Sequence, residues 1–299
     1  MMKITKKTAN STMKLFIILF VFTNLNVLAQ KNTSLEFSVH AGGGFDAFVF
    51  RPSSKEISSA GYGGEIGGGF AGFFSPQVGI YVGAGFSMAN IKSKVSSLKH
   101  VTPGLIDNIN GGLLYDLHTT LNGYSELQKM MFLNIPVMFQ FQTKHKQYWN
   151  WKQNKNVGFY AMGGVKIFFL VSNKYDAMVT SLYNAAYYPE LDNWADTQLF
   201  AGLGTFDKGY STSGDLDFGI MATLALETGV KWRIDKNVFL YTGVYFDYGL
   251  NDPFKDSREP HGNFTSEKQL ADLTLLKFAD KASLLAVGVK VRFAFLRTL

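Results

Sequence analysis

Apolar and polar positions alternate along much of this chain with a period of two. From Val78 to Phe86 every second residue is apolar (Val78, Ile80, Val82, Ala84, Phe86), and between them stand Gly79, Tyr81, Gly83 and Gly85. Alternation of this kind predicts β-strands with two unlike faces. It predicts eight strands, at 34–50, 61–74, 78–90, 130–142, 157–171, 214–233, 237–250 and 282–297. Each exceeds the roughly 9–11 residues that a tilted barrel strand needs to cross a bilayer. One face of each segment carries no charge. The fourth presents Met131, Leu133, Ile135, Val137, Phe139 and Phe141; the sixth presents Phe218, Ile220, Ala222, Leu224, Leu226, Val230 and Trp232.

The opposite face holds Glu36, Asp46, Glu65, Lys166, Asp217, Glu227, Lys231, Arg233, Asp247, Lys290 and Arg292. A basic residue facing lipid near the midplane costs about 2–4 kcal/mol, so confining charge to one parity suits a membrane barrel with a charged lumen. A soluble sandwich also alternates. Here, however, the polar face is rich in Gly, Ala, Tyr and Phe, as in a tight lumen. Aromatic residues also crowd the strand ends, at Phe73, Phe74, Trp232, Phe239, Tyr248, Phe293 and Phe295, as in interfacial girdles.

Connection lengths agree. Ser75-Pro76-Gln77 and Ile234-Asp235-Lys236 are tight joins, whereas 91–129, 172–213 and 251–281 are long and polar. Short turns on one side and long loops on the other define an up-and-down barrel. The expected fold is therefore all-β: an eight-stranded antiparallel up-and-down transmembrane β-barrel, with ten strands as the alternative if a long loop adds a hairpin. Pro136 removes a ladder donor inside the fourth segment and predicts a bulge or bend there. Acid–base pairing is expected in the lumen, with Glu36 on the first strand meeting Lys290 and Arg292 on the eighth, and Asp247 also in reach.

The N-terminus predicts export. Lys3, Lys6, Lys7 and Lys14 lead into the short apolar run "LFIILFVF", and Val27 and Ala29 are small residues at a cleavage site. Residues 1–29 are thus expected to be a cleavable signal peptide and 30–299 the barrel domain. The formal net charge of +6 includes those four lysines, so the remaining chain has 25 basic against 23 acidic residues. That balance gives no support to a nucleic-acid partner. Cysteine is absent, which argues against a disulfide-stapled exported scaffold.

Four segments carry a family resemblance. "FLNIPVMFQF" (132–141), "FYAMGGVKIFFL" (159–170), "FGIMATLALETGVKW" (218–232) and "LYTGVYFDYGLND" (240–252) resemble strands of the Bacteroidota outer-membrane barrels called PorT-like. The resemblance implies an eight-stranded, roughly filled barrel in the outer membrane. Its partners would be lipid, lipopolysaccharide and envelope or secretion proteins. Most such proteins lack an assigned role, and the namesake takes part in type IX secretion.

Candidate chemistry is sparse. Gly67, Gly69 and Gly72 satisfy G-x-G-x-x-G, but Ser75-Pro76 follows where a phosphate-binding helix should start. No two of His40, His100, His118, His145 and His261 stand at metal spacing. Ser38, His40 and Glu36 could be drawn as a hydrolase triad, yet alternate residues of one strand do not readily make that hydrogen-bond chain. No cofactor, metal or catalytic residue is assigned. The expected role is a non-enzymatic structural, interaction or secretion-accessory barrel acting through its outer loops. A lipid A or peptide hydrolase and a narrow channel are the alternatives.

Overall fold

The computed structural model describes residues 34–51, 57–108, 111–143, 157–197, 202–216, 218–254, 274–279 and 281–298. The segment 1–29 expected to be a signal peptide, Asp217 and most of 251–281 lie outside the described residues. The strands are β1 (Ser34–Arg51), β2 (Ser58–Phe73), β3 (Val78–Asp107), β4 (Leu113–Gln142), β5 (Val157–Val179), β6 (Ser181–Tyr188), β7 (Asn193–Ala195), β8 (Gly204–Phe206), β9 (Tyr210–Asp215), β10 (Met221–Arg233), β11 (Val238–Gly249) and β12 (Lys281–Thr298). All described pairings are antiparallel. They run β4–β3–β2–β1–β12–β11–β10–β5 and close through β5 with β4. Eight of the twelve strands therefore form a ring without an edge strand exposed to lipid. The eight segments predicted from alternation fall on these ring strands. Of the other four, β6, β7 and β8 lie within 172–213, where the alternation predicted a long loop, and β9 begins there and ends at Asp215, inside the predicted sixth segment, whose ring strand β10 starts only at Met221.

Tight turns close one end of the ring. Ser75 Oγ accepts from the amides of Gln77 (3.3 Å) and Val78 (3.1 Å), and Pro76 between them fixes its own φ. In the second turn the Ile234 amide donates to the Val238 carbonyl at 2.9 Å.

The outer surface is apolar over a band of bilayer height. Phe139 is 67% exposed, Phe159 and Val289 64%, and Ile66 63%, values that no soluble core would show. On β4 the band runs from Met131 to Phe141, about 33 Å of strand, which becomes about 25 Å when strands tilt by about 40°. At its lower edge Trp232 Nε1 donates to Thr242 Oγ1 at 2.9 Å. At its upper edge the first outward ion pair appears, Lys129 to Asp176 at 3.0 Å. Three aromatic positions differ from expectation. Phe73 and Phe239, expected in a girdle, are buried inside, where the Lys231 ammonium draws them over it (Nζ to ring centroid 5.6 and 4.1 Å). Phe218, expected on the lipid face, is buried against Phe48 and Phe254 because β10 begins only at Met221.

Above the band the strands continue. Residues 91–129 are mostly not a loop; β3 and β4 run through them as one long hairpin, with the Gly112 amide donating to the Asp107 carbonyl at 2.9 Å at its end. Two irregularities hide this in the sequence. Between Met131 and Phe132 the β4–β5 register shifts by one residue. Inward positions on β5 are therefore even up to Phe168 and odd from Asn173 onward. Higher up, Ser96, Gly123 and Thr180 form a crease where β3, β4 and the β5–β6 strand all exchange their buried parity. Gly123 has φ +63°, and a Cβ there would collide with Thr180 Oγ1, so glycine is required. Beyond the crease, β3, β4, β6, β7 and β8 build an outer lobe over Leu117, Ala186 and Leu203.

No bulge forms at Pro136. Val82 pairs with Val137 and Gly85 with Asn134 in the same register, and Pro136 itself pairs with Lys166. The missing N–H falls on the β3 side, where the Gly83 and Ala84 pairings are interrupted without a slip.

The band predicts a specific cost. Val289→Arg should destabilise the barrel by about 2–4 kcal/mol, read by urea unfolding in lipid vesicles. An unchanged midpoint would mean that this face is not in hydrocarbon.

Candidate functional site

The interior is organised in tiers. In the lowest, Lys231 on β10 reaches across the lumen to Glu36 on β1 (Nζ–Oε1 2.6 Å) and donates to Gln142 Oε1 at 2.9 Å. Tyr241 OH donates to the other Glu36 oxygen at 2.5 Å. In the middle, Glu227 receives Lys290 (3.0 Å) and the Tyr160 hydroxyl (2.9 Å), with Arg292 Nη2 at 3.9 Å. The Arg292 guanidinium lies over the ring of Tyr241 (4.2 Å), with Tyr81 and Tyr160 flanking it at 5.2 and 5.4 Å. In the third tier Glu65 bridges Lys290 (2.5 Å) and Lys166 (3.3 Å), and Lys166 continues to Asp247 at 2.7 Å. Asp46 is buried beside this tier. Above it the filling turns apolar, with Phe48, Phe132, Phe168 and Leu284 in one cluster.

The inner-face glycines now have a reason. A Cβ on Gly63 would strike the Asp46 carboxylate, and one on Gly67 would come within 2.9 Å of the His40 ring. On Gly69 it would come within 2.7 Å of Tyr81 OH. Long polar side chains from adjacent strands lie across these bare stretches of backbone. In the G-x-G-x-x-G of β2, Gly67 and Gly69 are thus clearances within a strand that runs on to Phe73, whereas a Cβ on Gly72 would meet nothing within 4 Å.

Of the charged residues predicted to face the lumen, Glu36, Asp46, Glu65, Lys166, Glu227, Lys231, Asp247, Lys290 and Arg292 are buried. Arg233 is exposed instead, at the β10–β11 turn, where its Nε donates to the Asp235 carbonyl at 3.4 Å. Asp217 is outside the described residues. The pairing differs from expectation. Glu36 stands opposite Leu296 in the β1–β12 register, while Lys290 stands opposite Gly42. Strand tilt therefore carries Lys290 and Arg292 away from Glu36 toward Glu227 and Glu65, and Lys231 takes Glu36.

Ser38, His40 and Glu36 do not assemble a triad. His40 Nε2 lies 3.8 Å from Glu65, its Nδ1 lies 3.4 Å from Tyr81 OH, and Glu36 is held by Lys231 and Tyr241. Two cavities, of about 10 and 30 Å³, adjoin the network, room for single waters. Among the described residues no group of three His, Asp or Glu side chains could hold a metal ion.

Sequence reasoning put tyrosine on the lumen face but gave it no part in the charged network. Tyr81, Tyr160, Tyr241 and Tyr245 share the inward parity of the predicted charges, and that parity was the available signal. It also missed Glu126, which lies on the same even-numbered face of β4 as Asn134 and Gln140. On the lobe, Trp194 is 54% exposed and packs against His118 (4.6 Å, edge-on) and Tyr187 (4.9 Å). Tyr187 OH is anchored by Asp192 at 2.8 Å and Tyr183 OH by Asp196 at 2.9 Å.

A closed antiparallel ring with an apolar exterior and an ionised interior defines a membrane β-barrel. The chain belongs to the outer membrane protein beta-barrel domain family, whose model matches residues 28–255, and its place is the outer membrane. No curated protein matches the sequence. Among solved structures, it is similar to Ail, the attachment invasion locus protein of Yersinia pestis, solved with the heparin analogue sucrose octasulfate. That match has 11% identity, covers 87% of this chain and 99% of that one, and has a TM-score of 0.26. OprG from Pseudomonas aeruginosa is 12% identical over 88% and 96%, with a TM-score of 0.30. The outer membrane protease OmpT from Escherichia coli is 11% identical over 91% and 98%, with a TM-score of 0.28. Likenesses this distant assign no activity.

The network predicts unequal costs. Lys290→Met strands Glu65 and Glu227 without their shared cation and should cost about 3–5 kcal/mol. Lys129→Met breaks only an exposed pair and should cost at most about 1 kcal/mol. Urea unfolding in vesicles checks both, and equal effects would contradict the assignment of the interior.

Proposed function

We propose that this protein is a non-enzymatic outer-membrane barrel whose filled ring anchors the outer lobe as a binding surface for envelope or secretion proteins. Residues 1–29 serve as its cleaved signal peptide, and lipid and lipopolysaccharide surround the band. The resemblance of 132–141, 159–170, 218–232 and 240–252 to PorT-like strands supports a place in that Bacteroidota group. One observation carries the reading. Glu36, Glu65, Glu227, Asp247, Lys166, Lys231 and Lys290 of the lumen are engaged with one another and with Tyr160 and Tyr241. What remains for a partner is the ordered lobe, where Trp194, Tyr187 and His118 form a rigid aromatic group with carboxylates beside it. Rigid aromatic side chains lose little entropy on binding and supply large contact area. The hydrolase alternative draws no support from His40, which sits in the lumen against Glu65 and Tyr81. The channel alternative draws none from cavities the size of a water.

The test is crosslinked capture from outer membranes, comparing the native chain with a Trp194→Ala/Tyr187→Ala variant. The variant should keep its heat-modifiable gel mobility and lose most of the captured partner. Equal capture by both proteins would overturn the lobe assignment. In planar bilayers the purified protein should give no stable conductance steps, and steady channel currents would restore the channel reading.

A further inference from the structure

A segment from the β11–β12 connection closes the outer mouth of the ring. Residues Leu275–Phe278 form one turn of 3-10 helix. Leu275 and Leu276 have no exposed surface and join the apolar cluster of Phe48, Phe132, Phe168 and Leu284. The segment is tied to β4 at one carboxylate. Thr274 Oγ1 donates to Glu126 Oε1 at 2.9 Å, and the Leu275 amide donates to Oε2 at 2.8 Å. Tyr124 OH donates to Oε2 at 2.8 Å, and the Gln128 amide donates to Oε1. Glu126 is wholly buried. It lies level with the outward Lys129–Asp176 pair, hence above the membrane band.

We propose that Thr274–Ala279 is a releasable plug of the outer mouth, latched to the barrel wall by Glu126 and sealing the apolar chamber beneath it.

Among the described residues no cation acts on the buried acid at the centre of the latch. In the register, Glu126 faces Ser93 on β3 and Ala177 on β5. Among the described residues, the ionisable groups beside it are Tyr124 on β4 and, against Tyr124, Tyr175 on β5; Lys277 on the plug is half-exposed. Burial raises the Glu126 carboxyl above its ordinary range, and the hydrogen bonds from Gln128, Leu275, Tyr124 and Thr274 only partly offset this. Burial also pushes Tyr124 well above 10, so its phenol stays a donor. Closed, the plug holds the Glu126 proton more tightly than open, where water solvates the carboxylate. Closure is thus strongest below the ordinary carboxylate pKa of about 4.3 and weakens as pH rises through the raised value. The Gln128 side chain suits both states. Its Oε1 has no other partner, and a flipped amide would present that oxygen to a protonated Glu126.

The chain contains no cysteine, so single cysteines report cleanly. Leu276→Cys in vesicle-reconstituted full-length protein is labelled with a water-soluble maleimide at a series of pH values rising from the ordinary carboxylate pKa of about 4.3. Rates are divided by those of the exposed Lys208→Cys variant, which removes the intrinsic pH dependence of the thiol. The relative rate should rise with pH, by up to about tenfold per unit, and Glu126→Gln should flatten the slope. If Leu276→Cys fails to give a heat-modifiable band, the buried Ala279→Cys supplies the same readout. A relative rate independent of pH, labelling as fast as Lys208→Cys throughout, or a slope that survives Glu126→Gln would each overturn the latch.

Discussion

Hydrocarbon cannot solvate an ion or an unpaired amide, and that constraint organises this molecule. An open sheet would leave two edges of unpaired N–H and C=O groups in lipid, at several kcal/mol each, so the strands close into a ring. A charge on the outer face would cost about 2–4 kcal/mol, so ionised side chains within the band point inward. A ring of eight strands is only wide enough for side chains. The inward charges therefore have no bulk water and must neutralise one another, which Lys231–Glu36, Lys290–Glu227, Lys290–Glu65 and Lys166–Asp247 do. Tyr160 and Tyr241 add hydroxyl donors to Glu227 and Glu36, and Gly63, Gly67 and Gly69 give the long side chains room.

Such a network adds little net stability over a well-packed apolar filling, because each ion pair first loses its water. It does hold the register. A slip of one residue in β12 would turn Lys290 and Arg292 toward lipid and bring Val289 and Val291 inward. The same slip would leave Glu65 and Glu227 buried and unpaired. The charged tiers thus act against misregistration from both faces of the sheet. Above them the filling is apolar, because at that height the lobe and the plug segment, rather than ion pairs, exclude water.

The ring was legible in the alternation because lipid outside and a tight lumen inside impose opposite chemistry on neighbouring residues. Legibility ended where that contrast ended. Beyond Met88 and Met131 the outward positions become Asn90, Lys92, Lys94 and Lys129, since they face water, and the strand signal dissolved although the strands did not. The shift near Leu170 and the crease at Ser96, Gly123 and Thr180 then reversed the parity, so a fixed period of two could not follow β5 into β6. Burial of Lys166 or Glu227 could be read from parity alone. Their partners could not, because tilt and shear decide which inward residues meet at one height, and those follow from ring closure. Glu126 was hidden for a related reason: it lies in 91–129, which the alternation predicted as a loop.

Period-two lipid contact along β12 is the most direct measure of the central claim. Spin labels placed singly at 287 through 293 in the vesicle-reconstituted protein report collision rates with oxygen, which concentrates in hydrocarbon, and with a polar nickel chelate, which does not. Positions 287, 289, 291 and 293 should show high oxygen and low chelate collision rates, and 288, 290 and 292 should be low in both. Uniform chelate access along the strand, or high oxygen contact at 290 and 292, would contradict the account.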